Sequence, residues 1–188
     1  MPRQTRARVI GQANLERKFR ALDDATQTRA LERSLLAGIL VLENAIKQNI
    51  QDRKLVDTGT MLRSVGSEIT ERSTTRVTAV AGTNLVYAAI HEFGGTIVPR
   101  NAQFLSIPLT SEAKRYNSPR DFPQKLHAII NGDRGVLVDE GDTAQYALVK
   151  SVNMPARPYM RPAWDEHIDE AVGEVRDVLR LLIRQAVT

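Results

Sequence analysis

Residues 23–53 read DDATQTRALERSLLAGILVLENAIKQNIQDR, and this stretch decides the fold. Leu31, Leu35, Ile39, Leu42, Ile46 and Ile50 recur at steps of three and four. That spacing places them on one stripe of a helix that buries a single face. Asp23-Asp24 offers the N-cap, and the pattern runs to about Arg53. Gly38 interrupts it at a cost of roughly 1 kcal/mol against Ala. A close contact with another helix would offset that cost; a mild bend is the alternative reading.

A second long helix is expected at the other end of the chain, with Trp164, Ile168, Val172, Val175, Leu179, Leu182 and Ala186 as its stripe. Pro162 suits its first turn. Asp165, Glu166, Asp169 and Glu170 near its start and Arg176, Arg180 and Arg184 near its end complement the helix dipole. Residues 155–162 hold three prolines, so they read as a stiff extended lead-in.

The middle of the chain reads differently. Residues 56–60 turn the chain, and Met61, Leu62 and Val65 anchor a helical turn or a strand entry. Residues 65–70 and 76–81 form a hairpin around a polar connection at 71–75. A short helix spans 84–93, with Val86, Ile90 and Phe93 on one face, and Gly94-Gly95 ends it in the left-handed conformation. Residues 97–98 and 104–109 are strand-like, and 136–138 with 146–149 make another hairpin around Glu140-Gly141-Asp142. Residues 110–135 read as a surface excursion with a short helix at 124–130. Strands clustered between long flanking helices predict an α+β fold, a small antiparallel sheet packed with the N-terminal and C-terminal helices. The expected organisation is a basic arm and short helix at 1–22, then one domain at 23–188 with an excursion at about 100–150.

Composition narrows the function. The chain has 188 residues, 42% hydrophobic, 5% aromatic and without cysteine. Thiolate zinc sites, disulfides and Cys nucleophiles are therefore excluded. No run approaches the 18 apolar residues of a membrane span, and the first residues lack the apolar core of a secretory signal. Net charge is +4, but residues 1–20 hold six basic side chains and one acid. The basicity belongs to one end. Arg3, Arg6 and Arg8 there offer a contact to DNA phosphates; a solvated tail is the plainer reading.

The search for reaction chemistry returns little. Neither a P-loop nor G-x-G-x-x-G occurs, and there is no G-x-S-x-G elbow. His91-Glu92 resembles half of a zinc helix, but Gly95 stands where the second histidine belongs. No catalytic residue, metal ligand or cofactor site is assigned. Two segments are odder than a core requires: 87–95 (YAAIHEFGG) and 154–164 (MPARPYMRPAW). They suggest that Glu92 and Arg157 face each other as a fork, with Phe93 and Tyr159 packed beside them. Two unrelated turns are the alternative.

These segments carry a resemblance. Residues 57–65 (DTGTMLRSV), including Asp57, Gly59, Leu62 and Ser64, resemble a D-T-G-x-L-x-x-S-I opening. Tyr87-Ala88 through Glu92-Phe93-Gly94 resembles a Y-A-x-x-x-E-F-G centre. Pro155-Ala156-Arg157-Pro158-Tyr159-Met160-Arg161-Pro162-Ala163 resembles a P-A-R-P-F-L-R-P-A close. In this order the blocks are similar to the gp-ten-like tail-completion, or head–tail joining, family of long-tailed bacteriophages. The string 89–94 also resembles tail-completion proteins of contractile-tailed and Mu-like phages. Residues 100–150 are longer than in the simplest members.

The resemblance implies a structural protein without a reaction. It implies a homo-oligomeric ring, six-fold, between a connector or stopper protein and a tail terminator or tube protein, with DNA passing through. The implied place is the virion's head–tail junction, reached from the host cytoplasm during assembly, with no membrane partner. Residues 110–145 and the hairpin tip at 70–76 are the expected contacts between copies or layers. A tail terminator is the near alternative. A small nucleic-acid-binding protein using residues 1–20 is the alternative of another class.

Overall fold

The computed structural model describes residue 16, residues 23–73 and residues 76–187. The expected basic arm lies outside the described residues except for Glu16. The chain divides into two compact units, one of residues up to 92 together with 157 onward, the other of residues 93–156.

The first unit is built on two long helices, α1 (Asp24–Asp52) and α4 (Met160–Val187). Asp23 caps α1, its carboxylate accepting from the Thr26 N–H at 2.9 Å. The helices run antiparallel: Gly38 meets Ala171 and Val175, while Asn49 near the end of α1 donates to the Tyr159 carbonyl. The expected stripe of α1 is the buried one, with Ile39, Leu42, Ile46 and Ile50 in the core. Each such side chain contributes roughly 1.5–3 kcal/mol on burial. Gly38 is a contact and not a bend. A Cβ there would stand 2.4 Å from Val175 and 2.6 Å from the Ala171 carbonyl oxygen.

That close approach corrects the expected stripe of α4. Its fully covered residues are Ala163, Ala171 and Ile183, whereas Trp164 is 39% exposed and Ala186 is exposed. Small side chains let α1 come near; of the expected row, Ile168 and Val175 do face α1, and the stripe fails at its ends, Trp164 and Ala186. The acids of α4 also begin beyond its first turn, Met160–Ala163, where the dipole is felt most.

After α1, Gly59 takes φ 77° and opens α2 (Thr60–Ser64). The hairpin β1 (Gly66–Arg72) and β2 (Val77–Gly82) then pairs antiparallel with a register irregularity between Ile69 and Glu71, and both strands lie against α1. The short helix α3 is Ala88–Phe93. Its expected apolar face is overturned: Val86 is 95% and Phe93 70% exposed, while Ala88 and Glu92 are buried. Helical spacing located the helix but not its inward side, because a carboxylate with a helix to cap is buried in place of an apolar side chain.

The second unit holds a two-stranded ladder and a four-stranded antiparallel sheet. In the ladder, β3 (Gly95–Ile97) pairs with β8 (Val152–Met154). Gly94, φ 68°, lies where a Cβ would meet the Ala156 nitrogen at 2.7 Å and the Met154 oxygen at 2.9 Å. The sheet runs β4 (Leu105–Pro108), β7 (Ala144–Val149), β6 (Arg134–Val138), β5 (His127–Asn131). The segment expected to be a helix at 124–130 is strand β5, since Gly132-Asp133 folds 127–131 back onto β6 in a two-residue turn. The expected excursion is largely ordered around Ala113, Phe122 and Tyr146. The rings of Tyr116, Phe122 and Tyr146 meet edge to face at centroid distances of 5.4 and 6.0 Å. The fold class is α+β as expected, with small antiparallel sheets in place of one.

Candidate functional site

The motif residues of the first unit converge where α3 meets the start of α4. Glu92 is the centre. Its Oε2 accepts from the backbone N–H of Tyr159 at 2.7 Å and of Met160 at 2.9 Å, and its Oε1 from that of Arg161 at 3.0 Å. A helix begins with four N–H groups that lack an internal partner. Glu92 satisfies donors at the start of α4 from 67 residues away in sequence. Its negative charge also sits at the positive end of the helix dipole.

Tyr159 is the second anchor, 1% exposed. Its hydroxyl donates to the Ala88 carbonyl at 3.4 Å, so α3 holds the ring at one end and Glu92 holds its backbone at the other. Burial, with the Glu92 charge beside it, pushes the Tyr159 phenol up to about 12. Ile46, Ile50, Met61, Val65 and Ala163 complete the cluster around it.

Arg157 does not form the expected fork with Glu92. Its backbone N–H donates to the His91 carbonyl at 2.7 Å. Among the described residues its guanidinium has no hydrogen-bond or ion-pair partner. The fork fails because the carboxylate already has three backbone donors, which reach it in fixed geometry. Phe93 is 70% exposed and so does not pack in the core with Tyr159. Pro158 is half-buried before the helix, and Pro162 stands in its first turn.

The opening block serves the same end. Gly59 supplies the left-handed residue before α2. Arg63 donates to the Thr58 carbonyl at 3.1 Å, and Ser64 Oγ donates to the Met61 carbonyl and lies 2.7 Å from Thr83 Oγ1. Leu62 packs against the core cluster, whereas Asp57 is exposed. Between this loop and α3 lies a cleft lined by residues 54–61, Tyr87, His91 and Arg157. Burial first, and the Arg157 charge second, hold His91 below the ordinary imidazole range. Its Nδ1 is buried without a partner among the described residues. Tyr87 meets the imidazole edge-on at 6.3 Å.

Pro155 and Gly94 belong to the second unit. There the Gly94 backbone packs on Met154 and Ala156, as the ladder of β3 and β8 requires. Arg3, Arg6 and Arg8 lie outside the described residues. The sequence reading missed the role of Glu92 as a cap. A usable signal was present: a helix opening at Met160 with no Ser, Thr, Asp or Asn at its start needs an acceptor from elsewhere.

Chemically, this arrangement positions backbone. The Glu92 oxygens are committed to N–H donors, and the Tyr159 hydroxyl is locked on a carbonyl and held protonated. Among the described residues no group of three His, Asp or Glu side chains converges as metal ligands. No helix among them is long and apolar enough to cross a membrane.

Glu92, Tyr159, Gly59 and Ser64 of the motif blocks thus serve to fix the shape of the first unit. Residues 13–94 match the model of the HK97-gp10-like family, described as "Bacteriophage HK97-gp10, putative tail-component". The resemblance seen in the sequence is shown over that span, and it is one to a phage tail component. The first two motif blocks lie inside the match; the third, at 155–163, lies outside it. No curated protein and no solved structure matches the chain significantly.

Proposed function

We propose that this chain is a virion assembly protein that completes the tail at the head–tail junction, closing as a six-fold ring between the connector or stopper and the tail terminator or tube. The carrying observation is the match of residues 13–94 to a phage tail-component family. The geometry supports it: Glu92, Tyr159, Gly59 and Ser64 of the motif blocks are spent on fixing backbone in the first unit, chiefly at the joint between α3 and α4. A ring needs two different surfaces that meet on closure. The hairpin tip near 70–76 and residues 110–145 are the surfaces offered to neighbouring copies or layers. DNA passes through the ring, with Arg3, Arg6 and Arg8 beside its path.

The test is to label this chain and image purified tails and full particles. A label at the neck, with the purified chain closing into rings by electron microscopy, supports the reading. A label at the distal tail tip, or none on particles, overturns it.

A further inference from the structure

The four-stranded sheet has two unlike edges. On β4, the Leu109 N–H donates to the Gln145 carbonyl at 2.8 Å. In an antiparallel ladder, bonded and non-bonded positions alternate, so 105 and 107 also face β7 while 106 and 108 face outward. Position 108 is proline. It has no N–H to offer, and proline on an edge strand blunts pairing.

The other edge is open. Asn131 and Arg134 flank the Gly132-Asp133 turn, with Gly132 at φ 61°. Residues 127, 129 and 131 therefore bond to β6, and Ala128 and Ile130 turn their N–H and C=O groups outward. The strand His127-Ala128-Ile129-Ile130-Asn131 contains no proline, Lys, Arg, Asp or Glu. All five residues are exposed, Ile129 at 58% and Ile130 at 51%. Edge strands without such guards are pairing sites.

The geometry points to β5 of a second copy of this chain as the occupant, paired antiparallel about a two-fold axis through Ile129. In that register Ala128 of one copy exchanges both backbone bonds with Ile130 of the other, and the reverse, so every outward group is used. Ile129 meets Ile129 of the second copy as a non-bonded pair, where side chains lie closest. Ile107, Ala147, Val136 and Ile129 are successive cross-strand partners and form one apolar row. The pairing carries this row on across the axis. No charged side chain of either strand faces another. The rival arrangement, β5 against β4 of the next copy, loses the donor that Pro108 lacks. With one edge open and one blunted, the sheet pairs once and stops instead of growing into a fibre. Strand β5 lies within residues 110–145, which the ring reading also offers to neighbours, but the pairing is argued from the strand's own open edge and does not need the ring.

The natural absence of cysteine makes a direct test possible. Opposed non-bonded residues have Cα atoms about 4.5 Å apart, within disulfide range. The full chain carrying Ile129→Cys is expected to form a disulfide-linked dimer under mild oxidation at least about tenfold faster than one carrying Glu112→Cys, an exposed control site. Ile129→Lys sets two ammonium groups across the axis; it is expected to raise the dimer dissociation constant about tenfold or more in sedimentation, with unchanged circular dichroism and melting. Cross-linking no faster than the control overturns the inference, and so does a dimer that a folded Ile129→Lys chain keeps at wild-type strength. Should the lysine chain misfold, the cysteine comparison decides alone. Rings formed by an Ile129→Cys chain that does not cross-link leave the proposed function standing and remove this pairing; cross-linking, together with a wild-type chain that forms no rings, does the reverse.

Discussion

The two units differ in what holds each of them together. Residues up to 92 and from 157 onward rest on a long helix pair, closely approached at Gly38 and pinned at one end by the Glu92 cap. Residues 93–156 rest on short strands, tight turns and one aromatic cluster. In the first, the motif carboxylate of Glu92 and the hydroxyls of Ser64 and Tyr159 are used internally. In the second, a whole strand edge is left facing outward. The family match ends at residue 94, next to the border between them. The comparison teaches that packing between elements distant in sequence dominates the first unit, whereas the second carries the unguarded edge of a four-stranded sheet.

Truncating the central ring of each unit is the severest test of that division. Tyr159→Ala is expected to cost about 4 kcal/mol, and Phe122→Ala about 3 kcal/mol, because a large cavity is left in each case. Hydrogen exchange by mass spectrometry should show each loss mainly in its own unit. Equal loss of protection in both units from either variant would break the division.

Next in size is the cap. Glu92→Ala leaves three buried or half-buried N–H groups without their acceptor and is expected to cost about 2–3 kcal/mol. Glu92→Gln, which keeps one acceptor oxygen, should fall between wild type and Ala. Fast exchange should appear first at 159–162. A thermal melt unchanged by Glu92→Ala would show that the cap is incidental.

The first unit was largely legible in the sequence. Asp23, the stripe of α1, the hairpin and the glycine stop after α3 all follow from periods and turn residues. What was not legible is which group faces inward where a polar side chain takes an apolar one's place. Glu92 displaces Phe93 in that sense, and in α4 the small Ala171 is buried more deeply than its larger neighbour Val172. Each outcome is set by a helix distant in sequence, which periodicity cannot see. The second unit was less legible because its strands are short and β5 is exposed at every position. Alternation marks a strand only when one face is buried. The D-T-G, E-F-G and P-A-R-P blocks located the site, but their pairing was read as charge against charge when it is carboxylate against backbone.

A smaller effect probes the helix pair itself. Gly38→Ala gains roughly 1 kcal/mol of helix propensity, yet its Cβ meets Val175 and the Ala171 backbone closer than 3 Å. Val175 can change rotamer, but the carbonyl cannot move without shifting α4. The net expectation is a loss of about 1–2 kcal/mol. Chemical denaturation measures it, and stabilisation would mean the helices can part without cost.

The least expected effect separates Arg157 from Glu92. His91 is held below its usual 6.5 by burial and by the Arg157 charge. A depressed imidazole contributes stability that is complete above about pH 6.5 and is lost as pH falls through its folded value. Arg157→Ala removes the repelling charge but keeps the backbone N–H that bonds the His91 carbonyl. The His91 pKa should therefore rise in an NMR titration, but only part of the way to 6.5, since burial is the larger cause. At pH 8 the same variant should change stability by no more than about 0.5 kcal/mol, the usual range for a surface substitution. In a double-mutant cycle with Glu92→Ala its coupling should be equally small. A coupling above about 1 kcal/mol would restore the charge pair, and a fall in the His91 pKa would mean that Arg157 acts on the imidazole through something other than its charge.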